Sequence, residues 1–494
     1  MTLGNLLSEN AGRYSNRTFI RFEGRKLSYS ETDRLVSLCA GGLSSIGLQV
    51  QGRVAILMEN CPEYIISYFG ILRAGCITIP INTFLTPEEI SYILRDSGAK
   101  FLIYSDCFTP HIEKIKGDVQ GLTALKFDEI PREEPGTSLV YGSDVAVFLY
   151  TSGTTGFPKG AMLTHSNLIS NARASAEALQ VSYRDRFLLF LPLFHSFAFT
   201  ACVLVPVCSG ASIVLLKSVK PFSNVIKSII RYRITLFAGV PTIYNILASK
   251  RISFMMRFLL RLLLNIRACI SGAAALPADT LHTFETRFKV PLIEGYGLTE
   301  ASPVVAVNPL DRIRKPSSVG LPVQGVEVAV IREDGNKVPA GEVGELIVKG
   351  PNVMKGYFNK EEETWTVLRD GWLHTGDMAK IDEDGYIFIV DRKKDMIIVD
   401  GMNIYPREVE ELILRHDSVE ECAMVGLPDG RGSETPLLYV KKKEGADVEE
   451  NDIRDALKGH IASYKIPRKI IFIDEFPRTA TGKIKKTELR KREV

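Results

Sequence analysis

The sequence contains little cysteine and no cysteine pattern. Its 494 residues include 8 cysteines, none of them in a CxxC pair, and no His/Cys cluster has the spacing of a zinc site. This indicates reduced, mostly buried thiols rather than a zinc fold or a disulfide framework. A basic start followed by an apolar core is also missing at residues 1–5, so we expect no secretion signal and a cytoplasmic protein.

A strong excess of charge of one sign and an unbroken apolar span are missing as well. The net charge of +3 is too small to imply a nucleic-acid partner by itself. Residues 187–216 are almost entirely apolar and long enough to cross a bilayer, but two prolines, a histidine and a glycine divide them. We therefore expect buried parallel strands at 188–191 and 212–216, with a helix between them.

The most informative segment that is present is a loop at residues 150–160, Tyr-Thr-Ser-Gly-Thr-Thr-Gly-Phe-Pro-Lys-Gly. Its glycines let backbone N–H groups close on an anion, and its hydroxyls and lysine add donors and positive charge. A buried strand is predicted at 145–149 and a helix from His165, an arrangement that cradles phosphate. Gly160 follows Lys159 where the common GxxxxGK[ST] loop has a hydroxyl residue, so the usual nucleotide-binding ATPase is disfavoured.

The pattern along the chain predicts several domains, since 494 residues are too many for one core. Short apolar runs alternate with helical patterns, which predicts an α/β fold with parallel sheets flanked by helices. From about residue 319, glycine turns separate short strands and predict a small β-barrel-like subdomain. We expect a large N-terminal domain over 1–391, including that subdomain at 319–391, and a small α+β C-terminal domain over 392–494.

Four segments together carry a resemblance to a known family. After the loop come Glu-Gly-Tyr-Gly-Leu-Thr-Glu at 294–300, Gly-Trp-Leu-His-Thr-Gly-Asp at 371–377 with Asp-Arg-Lys-Lys-Asp at 391–395, and Pro-Arg-Thr-Ala-Thr-Gly-Lys at 477–483. In this order they resemble the motifs of the adenylate-forming superfamily: acyl-CoA synthetases, luciferases and the adenylation domains of peptide synthetases. The resemblance covers nearly the whole chain, and the chain looks most like fatty acyl-CoA synthetases (long-chain fatty acid–CoA ligases).

The resemblance implies a reaction in two steps. ATP transfers AMP to a carboxylic acid with release of pyrophosphate, which gives the acid a far better leaving group than oxide. The thiol of coenzyme A then displaces AMP. Because the first step brings an anionic carboxylate to an anionic phosphate, it needs Mg²⁺, hydrogen-bond donors and positive charge at the α-phosphate. ATP, Mg²⁺ and coenzyme A (as a cosubstrate) are therefore expected.

Phosphate chemistry is implied for one group of residues. By resemblance the loop grips the β- and γ-phosphates, while Thr151 and Glu300 hold the magnesium ion. Thr299 would donate to the α-phosphate, and Lys483 would neutralise charge as the phosphorus is attacked. A charge at a helix N-terminus is the alternative for Glu300, and a solvated side chain is the alternative for Lys483.

Contacts with adenosine and with the acid are implied for a second group. Tyr296 would stack on adenine, Asp377 at a strand end would accept both ribose hydroxyls, and Arg392 would reach ribose or phosphate. His195 would lie near the substrate carboxylate. The structural alternatives are a buried side chain in a turn for Tyr296, a surface charge for Arg392, and a core position with its hydrogen bonds made within the protein for His195.

The resemblance also implies a domain rotation after adenylation. The C-terminal domain would turn about a hinge at Lys394, withdrawing Lys483 and bringing Gly401 to line the path of the thiol. The chain departs from many relatives, which carry lysine at the position of Ile398 and small or polar residues at that of Asp400. The complete set of expected site residues is: catalytic Lys483, Glu300, His195 and Thr299; ATP- or CoA-binding Thr151, Ser152, Gly153, Thr154, Thr155, Gly156, Lys159, Gly272, Ala273, Ala274, Glu294, Gly295, Tyr296, Gly297, Asp377, Arg392, Lys394 and Gly401; Mg²⁺-binding Thr151 and Glu300.

The lack of acidic residues in one long segment indicates which class of carboxylic acid is the substrate. Residues 186–278 contain eleven Lys and Arg residues and no Asp or Glu. Amino-acid-activating relatives place a carboxylate in this region, because burying the ammonium of the substrate unpaired would be costly. The matching segment here, Leu-Phe-His-Ser-Phe-Ala-Phe at 193–199, suits an apolar acid without an amine. We expect a medium- or long-chain fatty acid; an aryl-CoA ligase, an adenylation enzyme that loads a separate carrier protein, and a non-enzymatic nucleotide-binding regulator are the alternatives.

Residues 251–267 are basic and very apolar, which predicts a helix. One hypothesis is that this helix contacts an anionic membrane surface, which would place the protein peripherally at the inner face of the membrane. A packed helix with snorkelling arginines is the alternative. A homodimer is left open by the sequence, and no nucleic-acid partner is expected.

Overall fold

The computed structural model describes residues 1–134, 144–151, 157–249, 264–399, 402–429, 433–478 and 484–492. In chain order the helices are α1 Leu3–Arg13, α2 Tyr29–Ser45, α3 Pro62–Arg73, α4 Pro87–Ser97, α5 Thr109–Asp118, α6 His165–Ala178, α7 Ser196–Phe199, α8 Val205–Ser209, α9 Phe222–Arg231, α10 Pro241–Ser249, α11 Ala278–Phe288, α12 Glu361–Val367, α13 Pro406–Ile413, α14 Glu450–Leu457 and α15 Lys486–Lys491.

The strands, again in chain order, are β1 Thr18–Phe22, β2 Arg25–Ser28, β3 Arg53–Leu57, β4 Ile77–Pro80, β5 Phe101–Tyr104, β6 Thr123–Lys126, β7 Val145–Thr151, β8 Lys159–Thr164, β9 Arg186–Leu189, β10 Ser212–Leu215, β11 Leu236–Gly239, β12 Ala268–Ser271, β13 Leu292–Gly297, β14 Val304–Val307, β15 Leu321–Pro322, β16 Glu327–Ile331, β17 Gly344–Lys349, β18 Gly356–Tyr357, β19 Leu368–Arg369, β20 Trp372–Ile381, β21 Ile387–Arg392, β22 Ile397–Val399, β23 Met402–Ile404, β24 Val419–Pro428, β25 Glu434–Lys442 and β26 Lys469–Phe472.

The chain divides into two compact units. Unit 1 comprises Met1–Val328 and Val348–Leu373, and unit 2 comprises Ala329–Ile347 and His374–Val494. The domain boundary expected at 391/392 and the hinge expected at Lys394 stay predictions.

The larger sheet of unit 1 has nine strands in the order β15-β14-β13-β12-β11-β9-β10-β1-β2. Its strands from β13 to β1 run parallel, because helices return the chain to the same edge between them. Every residue of β11 is buried, as expected for a strand covered on both faces. Phe237, Tyr244 and Phe284 form an edge-to-face aromatic series in the core beside this sheet.

The second sheet of unit 1 has the order β18-β8-β7-β4-β3-β5-β6 and carries the ends of the glycine-rich loop. It is parallel from β7 to β6, whereas β8 and β18 are added antiparallel. Helix α4 packs on it between a capping box formed by Thr86 and Glu89 and a left-handed Gly98. Apolar side chains such as Leu94, Leu102 and Ile115 are fully buried between the sheet and its helices.

Unit 2 contains a smaller α+β layer. Strands β24 and β25 pair antiparallel, and β26 joins β25 in parallel. Val409 of α13, Met424 and Val440 of the sheet and Ile453 of α14 share one fully buried cluster. Residues Asp377–Ile381 of β20 pair antiparallel with β21, and β22 and β23 form a hairpin.

The predicted α/β fold is confirmed, and most of the predicted elements are present. The apolar stretch at 187–216 is divided into β9, short helices and β10, and the two strands pair in parallel as expected. Within the described ranges, no helix has both the length and the apolar character needed to cross a bilayer. Residues 251–263 of the basic helix lie outside those ranges, and residues 264–267 are not helical.

The helix predicted from His165 is present as α6, and strand β8, which was not predicted, comes between the loop and this helix. Lys159 begins this strand and pairs with Thr151 of β7, so it lies on a hairpin rather than in the loop. The apolar alternation of residues 161–163 lets this short segment add to the sheet through cross-strand hydrogen bonds, which the loop motif alone does not reveal.

Candidate active site

Tyr150 and Gly160, which flank the glycine-rich loop in unit 1, are positioned by a hydrogen bond and by a ring contact. The Tyr150 hydroxyl donates to Asp96 Oδ2 at 2.6 Å. Burial first, and the nearby Asp96 carboxylate second, raise the pKa of Tyr150, so its proton stays in this bond. The Tyr150 ring also covers Gly160, where an added Cβ would lie 3.1 Å from ring carbon Cζ. The residues between these ends, Ser152, Gly153, Thr154, Thr155 and Gly156, lie outside the described residues.

A carboxylate, two hydroxyls and an ammonium group meet beside this hairpin. Glu300 Oε1 accepts hydrogen bonds from the Tyr357 hydroxyl at 2.9 Å and from Thr151 Oγ1 at 3.5 Å. Lys159 Nζ lies 5.6 Å from the centre of the Tyr357 ring and 3.9 Å from Glu363 Oε1. The Lys159 side chain is 11% exposed, so this positive charge sits in a largely desolvated position.

Burial first, and the Glu300 charge second, raise the pKa of Tyr357. The phenol therefore stays a donor at neutral pH and fixes one oxygen of Glu300. Tyr357 reaches this position because β18 pairs with β8, placing it across from Ala161 two residues beyond Lys159. Thr299 begins the 3₁₀ turn that contains Glu300, and Met354 N donates to the Glu300 carbonyl at 2.8 Å.

Oxygen donors at this place suit Mg²⁺. Among the described residues, no group of three or more His, Cys, Asp or Glu side chains could form an all-protein metal cage. Mg²⁺ is commonly held by one or two carboxylates together with substrate phosphates, so a single carboxylate next to a threonine hydroxyl is sufficient on the protein side. Glu300 and Thr151, predicted as the Mg²⁺ ligands, are brought together here.

The expected adenine segments emerge from adjacent parallel strands. Ser271 at the end of β12 is in register with Glu294 of β13, so Gly272–Ala274 follow the carboxyl end of β12 and Gly295–Gly297 form the carboxyl end of β13. The Glu294 side chain is 5% exposed, and its Oε1 accepts from Leu276 N at 2.9 Å. Its side chain thus fixes the turn that follows β12.

Two glycines of these segments have no space for a side chain. A Cβ at Gly297 would lie 2.1 Å from the carbonyl oxygen of Pro303, which belongs to the backbone and cannot yield easily. A Cβ at Gly272 would lie 2.9 Å from the ring of Phe197. Ala273 has a φ of +69°, an uncommon conformation for a residue with a Cβ. Tyr296 is half-buried on β13 between the glycines.

The segment expected to face the acid follows β9. His195 precedes α7, and its Nδ1 accepts from Phe197 N at 3.3 Å, so one ring nitrogen serves as a helix cap. Asn60 holds the preceding residues, since its Oδ1 accepts from Leu193 N at 2.9 Å and its Nδ2 donates to Leu191 O at 2.9 Å. Phe197 lies against Gly272, so the segment expected to face the substrate acid lies next to a segment expected to contact adenine.

In unit 2, Asp377 and Arg392 are cross-strand partners on β20 and β21. Asp377 is 7% exposed, and its Oδ1 lies 3.4 Å from Nε of Arg392. We expected Asp377 at a strand end, but β20 continues to Ile381 with a register shift just after Met378. The Arg392 side chain is 54% exposed, so its head group is accessible.

The expected hinge and second-step residues are described only in part. Lys394 is exposed in a 3₁₀ turn over Lys393–Asp395. Gly401 and Lys483 lie outside the described residues. Sequence reasoning missed Tyr357, Glu363 and Asp96, which belong to no motif; the only signal for Tyr357 is an aromatic residue after a glycine in a short run.

The chain matches known protein families over most of its length. Residues 7–358 match the family model described as AMP-binding enzyme, and residues 408–483 match the one described as AMP-binding enzyme C-terminal domain. A long-chain-fatty-acid–CoA ligase of Bacillus subtilis is 37% identical, with 100% of this chain and 95% of the relative covered. A feruloyl-CoA synthase of Amycolatopsis is 38% identical, with 99% of each chain covered.

Solved structures agree in fold. ATP-bound MatB from Rhodopseudomonas palustris has a TM-score of 0.91 at 32% identity, covering 100% of this chain and 99% of that one. O-succinylbenzoate coenzyme A synthetase (MenE) from Bacillus subtilis, in complex with ATP and a magnesium ion, has a TM-score of 0.87 at 30% identity, covering 98% and 99%.

Proposed function

Since this chain belongs to the AMP-binding enzymes and is an acid–CoA ligase of the AMP-forming type, we propose that its acid is a medium- or long-chain fatty acid. ATP and the acid give acyl-AMP and pyrophosphate, and coenzyme A then gives acyl-CoA and AMP. The observation that carries the adenylation step is the grouping of Glu300, Thr151, Lys159 and Tyr357 at the hairpin that bounds the glycine-rich loop.

This grouping supports a site for the triphosphate of ATP. Lys159 supplies a desolvated positive charge for the β- and γ-phosphates, and electrostatic attraction is stronger where water is excluded. Glu300 and Thr151 would hold Mg²⁺, which when bound supplies positive charge at the phosphate oxygens. Thr299, adjacent to Glu300, would donate to the α-phosphate, and Lys483 would stabilise the negative charge that develops there as the carboxylate attacks.

The adenosine half of ATP would lie across the ends of β12 and β13. Tyr296 would stack on adenine, with the backbone of Gly272–Ala274 on its other side and Gly295 and Gly297 leaving the space open. In unit 2, the buried carboxylate of Asp377 would accept the ribose hydroxyls, and Arg392, whose Nε lies 3.4 Å from Asp377 Oδ1, would reach ribose or phosphate.

The nature of the acid rests on residues 186–278, which have no Asp or Glu. An ammonium group on the substrate would find no acidic partner in this segment, whereas an alkyl chain would pack against its phenylalanines. His195 would orient the substrate carboxylate, because it lies at the start of α7 in the segment that suits an apolar acid. The Bacillus subtilis relative supports a long-chain fatty acid.

An aryl-CoA ligase is the second candidate. The feruloyl-CoA synthase is as similar as the fatty-acid ligase, and phenylalanines suit an aromatic ring as well as an alkyl chain. Loading of a separate carrier protein is a third outcome to distinguish, in which acyl-AMP forms but coenzyme A is not the acceptor.

After adenylation the C-terminal domain would rotate about Lys394, withdraw Lys483 and bring Gly401 to the path of the thiol.

We also propose that the basic apolar segment at 251–267 contacts anionic lipid, since three of its arginines stand among apolar residues. Flotation with anionic and neutral vesicles tests this contact, and absence of binding to both would remove it. The homodimer stays a prediction.

Mass spectrometry of reaction products tests the proposed function. The protein is incubated with ATP, Mg²⁺, coenzyme A and, separately, octanoate, palmitate or ferulate. We expect AMP, pyrophosphate and acyl-CoA, with the fatty acids turned over faster than ferulate. Preference for ferulate would favour the aryl-CoA ligase, acyl-AMP without thioester would favour carrier loading, and release of ADP and phosphate would overturn the AMP-forming reaction.

A further inference from the structure

The segment that contains Lys483 is flanked in unit 2 by two short stretches, Pro477–Arg478 and Ile484–Lys485, which pair with each other and are called the stem here. Residues 479–483 themselves lie outside the described residues, but Arg478 and Ile484 form an antiparallel bridge across their ends. Lys485 N donates to the Pro477 carbonyl at 2.8 Å, one position further out. The two ends of the segment are therefore held by the contacts of this stem.

On its N-terminal side the stem is tied to the sheet. Arg478 Nη2 donates to both oxygens of the Glu421 carboxylate on β24, with a distance of 2.6 Å to Oε1. On its C-terminal side the first residue of α15, Lys486, forms an ion pair with Glu410 of α13 at 2.7 Å. Glu410 Oε1 also accepts from Met424 N at 2.7 Å, so the carboxylate itself is fixed to the sheet.

The Lys486–Glu410 pair is shielded from water. The two side chains are only 18% and 16% exposed. Burial would lower the pKa of Lys486, but Glu410 and Asp391 outweigh it and raise the pKa above its ordinary value. Lys486 is thus a charged group at neutral pH in a partly desolvated place, where an ion pair is held more firmly than on an open surface.

One turn further along α15, Arg490 reaches the turn predicted to be the hinge. Its Nη2 donates to Asp395 Oδ1 at 3.1 Å and to the Lys394 carbonyl at 3.4 Å. Between the two basic residues, Leu489 is fully buried, and its carbonyl accepts from the Tyr439 hydroxyl at 3.0 Å. Helix α15 thus joins the Lys483 stem at one end to the Lys393–Asp395 turn at the other.

We propose that Lys486 and Arg490 are positioning residues: they lock the stem that flanks residues 479–483 to the Lys393–Asp395 turn, and the adenylation step proposed for Lys483 depends on this lock. The proposal rests on the proposed function, because it assigns Lys483 to the adenylation step. Loss of the lock would leave Lys483 with variable placement relative to the hinge. Adenylation, which needs that placement, would suffer, whereas thioester formation from ready-made acyl-AMP would not.

The test compares the two half-reactions in the full-length protein. Adenylation is followed by palmitate-dependent exchange of labelled pyrophosphate into ATP, and thioester formation by the reaction of supplied palmitoyl-AMP with coenzyme A. For Lys486→Met and Arg490→Met we expect exchange to fall at least about tenfold, since small misplacement of a catalytic group is costly, and thioester formation to change less than about twofold. Lys486→Arg, which keeps the charge, should retain most of the exchange rate.

Lys485→Met is the matched control. Lys485 lies next to Lys486 in the chain but its side chain pairs with Glu488 of α15, so its loss removes the same charge without breaking the Lys486–Glu410 pair. We expect it to change either half-reaction less than about twofold, as is usual for an exposed pair. An equal effect of Lys485→Met and Lys486→Met would attribute the result to net charge and overturn the proposal.

A folding defect is separated by a double variant. Lys486→Met leaves the buried Glu410 carboxylate without its ion-pair partner, and Glu410→Gln with Lys486→Met removes that charge. We expect the double variant to regain the melting temperature of the wild type but not its exchange rate. Regained exchange, or equal loss of both half-reactions, would overturn the lock. Failure of the proposed function would look different, because the wild type itself would then show no acid-dependent exchange with palmitate, octanoate or ferulate.

Discussion

At the scale of single residues, the site is organised around one carboxylate oxygen. Glu300 Oε1 is shared by two hydroxyl donors, Tyr357 and Thr151, and the Tyr357 ring also lies beside the Lys159 ammonium. Tyr357 therefore links the residue proposed to hold Mg²⁺ with the residue proposed to bind phosphate. Groups that orient a metal ligand from behind contribute measurably to metal affinity.

Replacing Tyr357 by Phe removes the hydroxyl and keeps the ring beside Lys159. We expect the Mg²⁺ concentration for half-maximal pyrophosphate exchange to rise about tenfold, because Glu300 loses its 2.9 Å hydrogen bond. Calorimetric binding of ATP in the presence of Mg²⁺ should weaken in parallel. Tyr183→Phe, at a partly exposed site near Arg184, is the control and should change neither quantity. An unaltered Mg²⁺ dependence in Tyr357→Phe would refute this role.

At the scale of elements, hairpins and helix ends place the site residues. The β7–β8 hairpin sets Thr151 opposite Lys159, and the adjacent ends of β12 and β13 bring together the two segments that are proposed to contact adenine. Helix α6, which follows the hairpin, is joined to α1 through His165. Its Nδ1 accepts from Leu3 N at 3.3 Å, which requires that nitrogen to be unprotonated.

Acid should weaken this junction. Burial lowers the pKa of His165 to about 4 from its ordinary 6.5, so the unfolded chain binds a proton more readily than the folded one. The contribution of His165 to stability is present above about pH 6.5 and is lost as the pH falls toward 4, by at most about 3 kcal/mol. Melting temperatures of the wild type should drop over this range more steeply than those of His165→Gln.

The exposed His282 provides the control for that titration. His282→Gln removes an imidazole that lies in solvent, so its melting temperature should follow the same pH dependence as the wild type. If His165→Gln and the wild type lose stability in parallel, the acid sensitivity has another origin and the assignment to the α1–α6 junction is wrong.

At the scale of the whole molecule, the two proposed chemical steps would use different sets of residues. The grouping around Glu300 that is proposed to bind phosphate belongs to unit 1, whereas Asp377, the turn proposed as the hinge and the stem that flanks residues 479–483 belong to unit 2. Rotation about Lys394 would allow one protein to adenylate first and to admit a thiol afterwards.

Lys483→Ala tests this division of labour. We expect pyrophosphate exchange with palmitate to fall about 100-fold or more, because positive charge at the attacked phosphorus is lost. Thioester formation from supplied palmitoyl-AMP should be spared, since Lys483 would be withdrawn in that step. Lys491→Ala, another lysine near the chain end, should leave both rates unchanged. Equal loss of both half-reactions in Lys483→Ala would contradict the rotation.

The fold was largely predictable from local patterns. Apolar runs indicate the buried strands at 101–104 and 212–215. Apolar periodicity and the capping residues Thr86 and Glu89, only three positions apart in the chain, indicate the helix at Pro87–Ser97. Strand β8 was missed, because a six-residue segment after a loop becomes a strand only when β7 offers a partner. Tyr357 was missed for the same reason, since its contact with Glu300 joins residues 57 positions apart.

The sequence by itself determined the kinds of groups that the site contains, the α/β class, and the absence of an acidic partner for an amine at residues 186–278. These are properties of composition and of neighbours along the chain. The tertiary structure decided that Tyr357 holds Glu300, that Gly297 has no space for a side chain, and that Arg490 reaches the carbonyl of Lys394. Such contacts depend on which distant segments pack together, and packing is settled by the whole core rather than by any local run of residues.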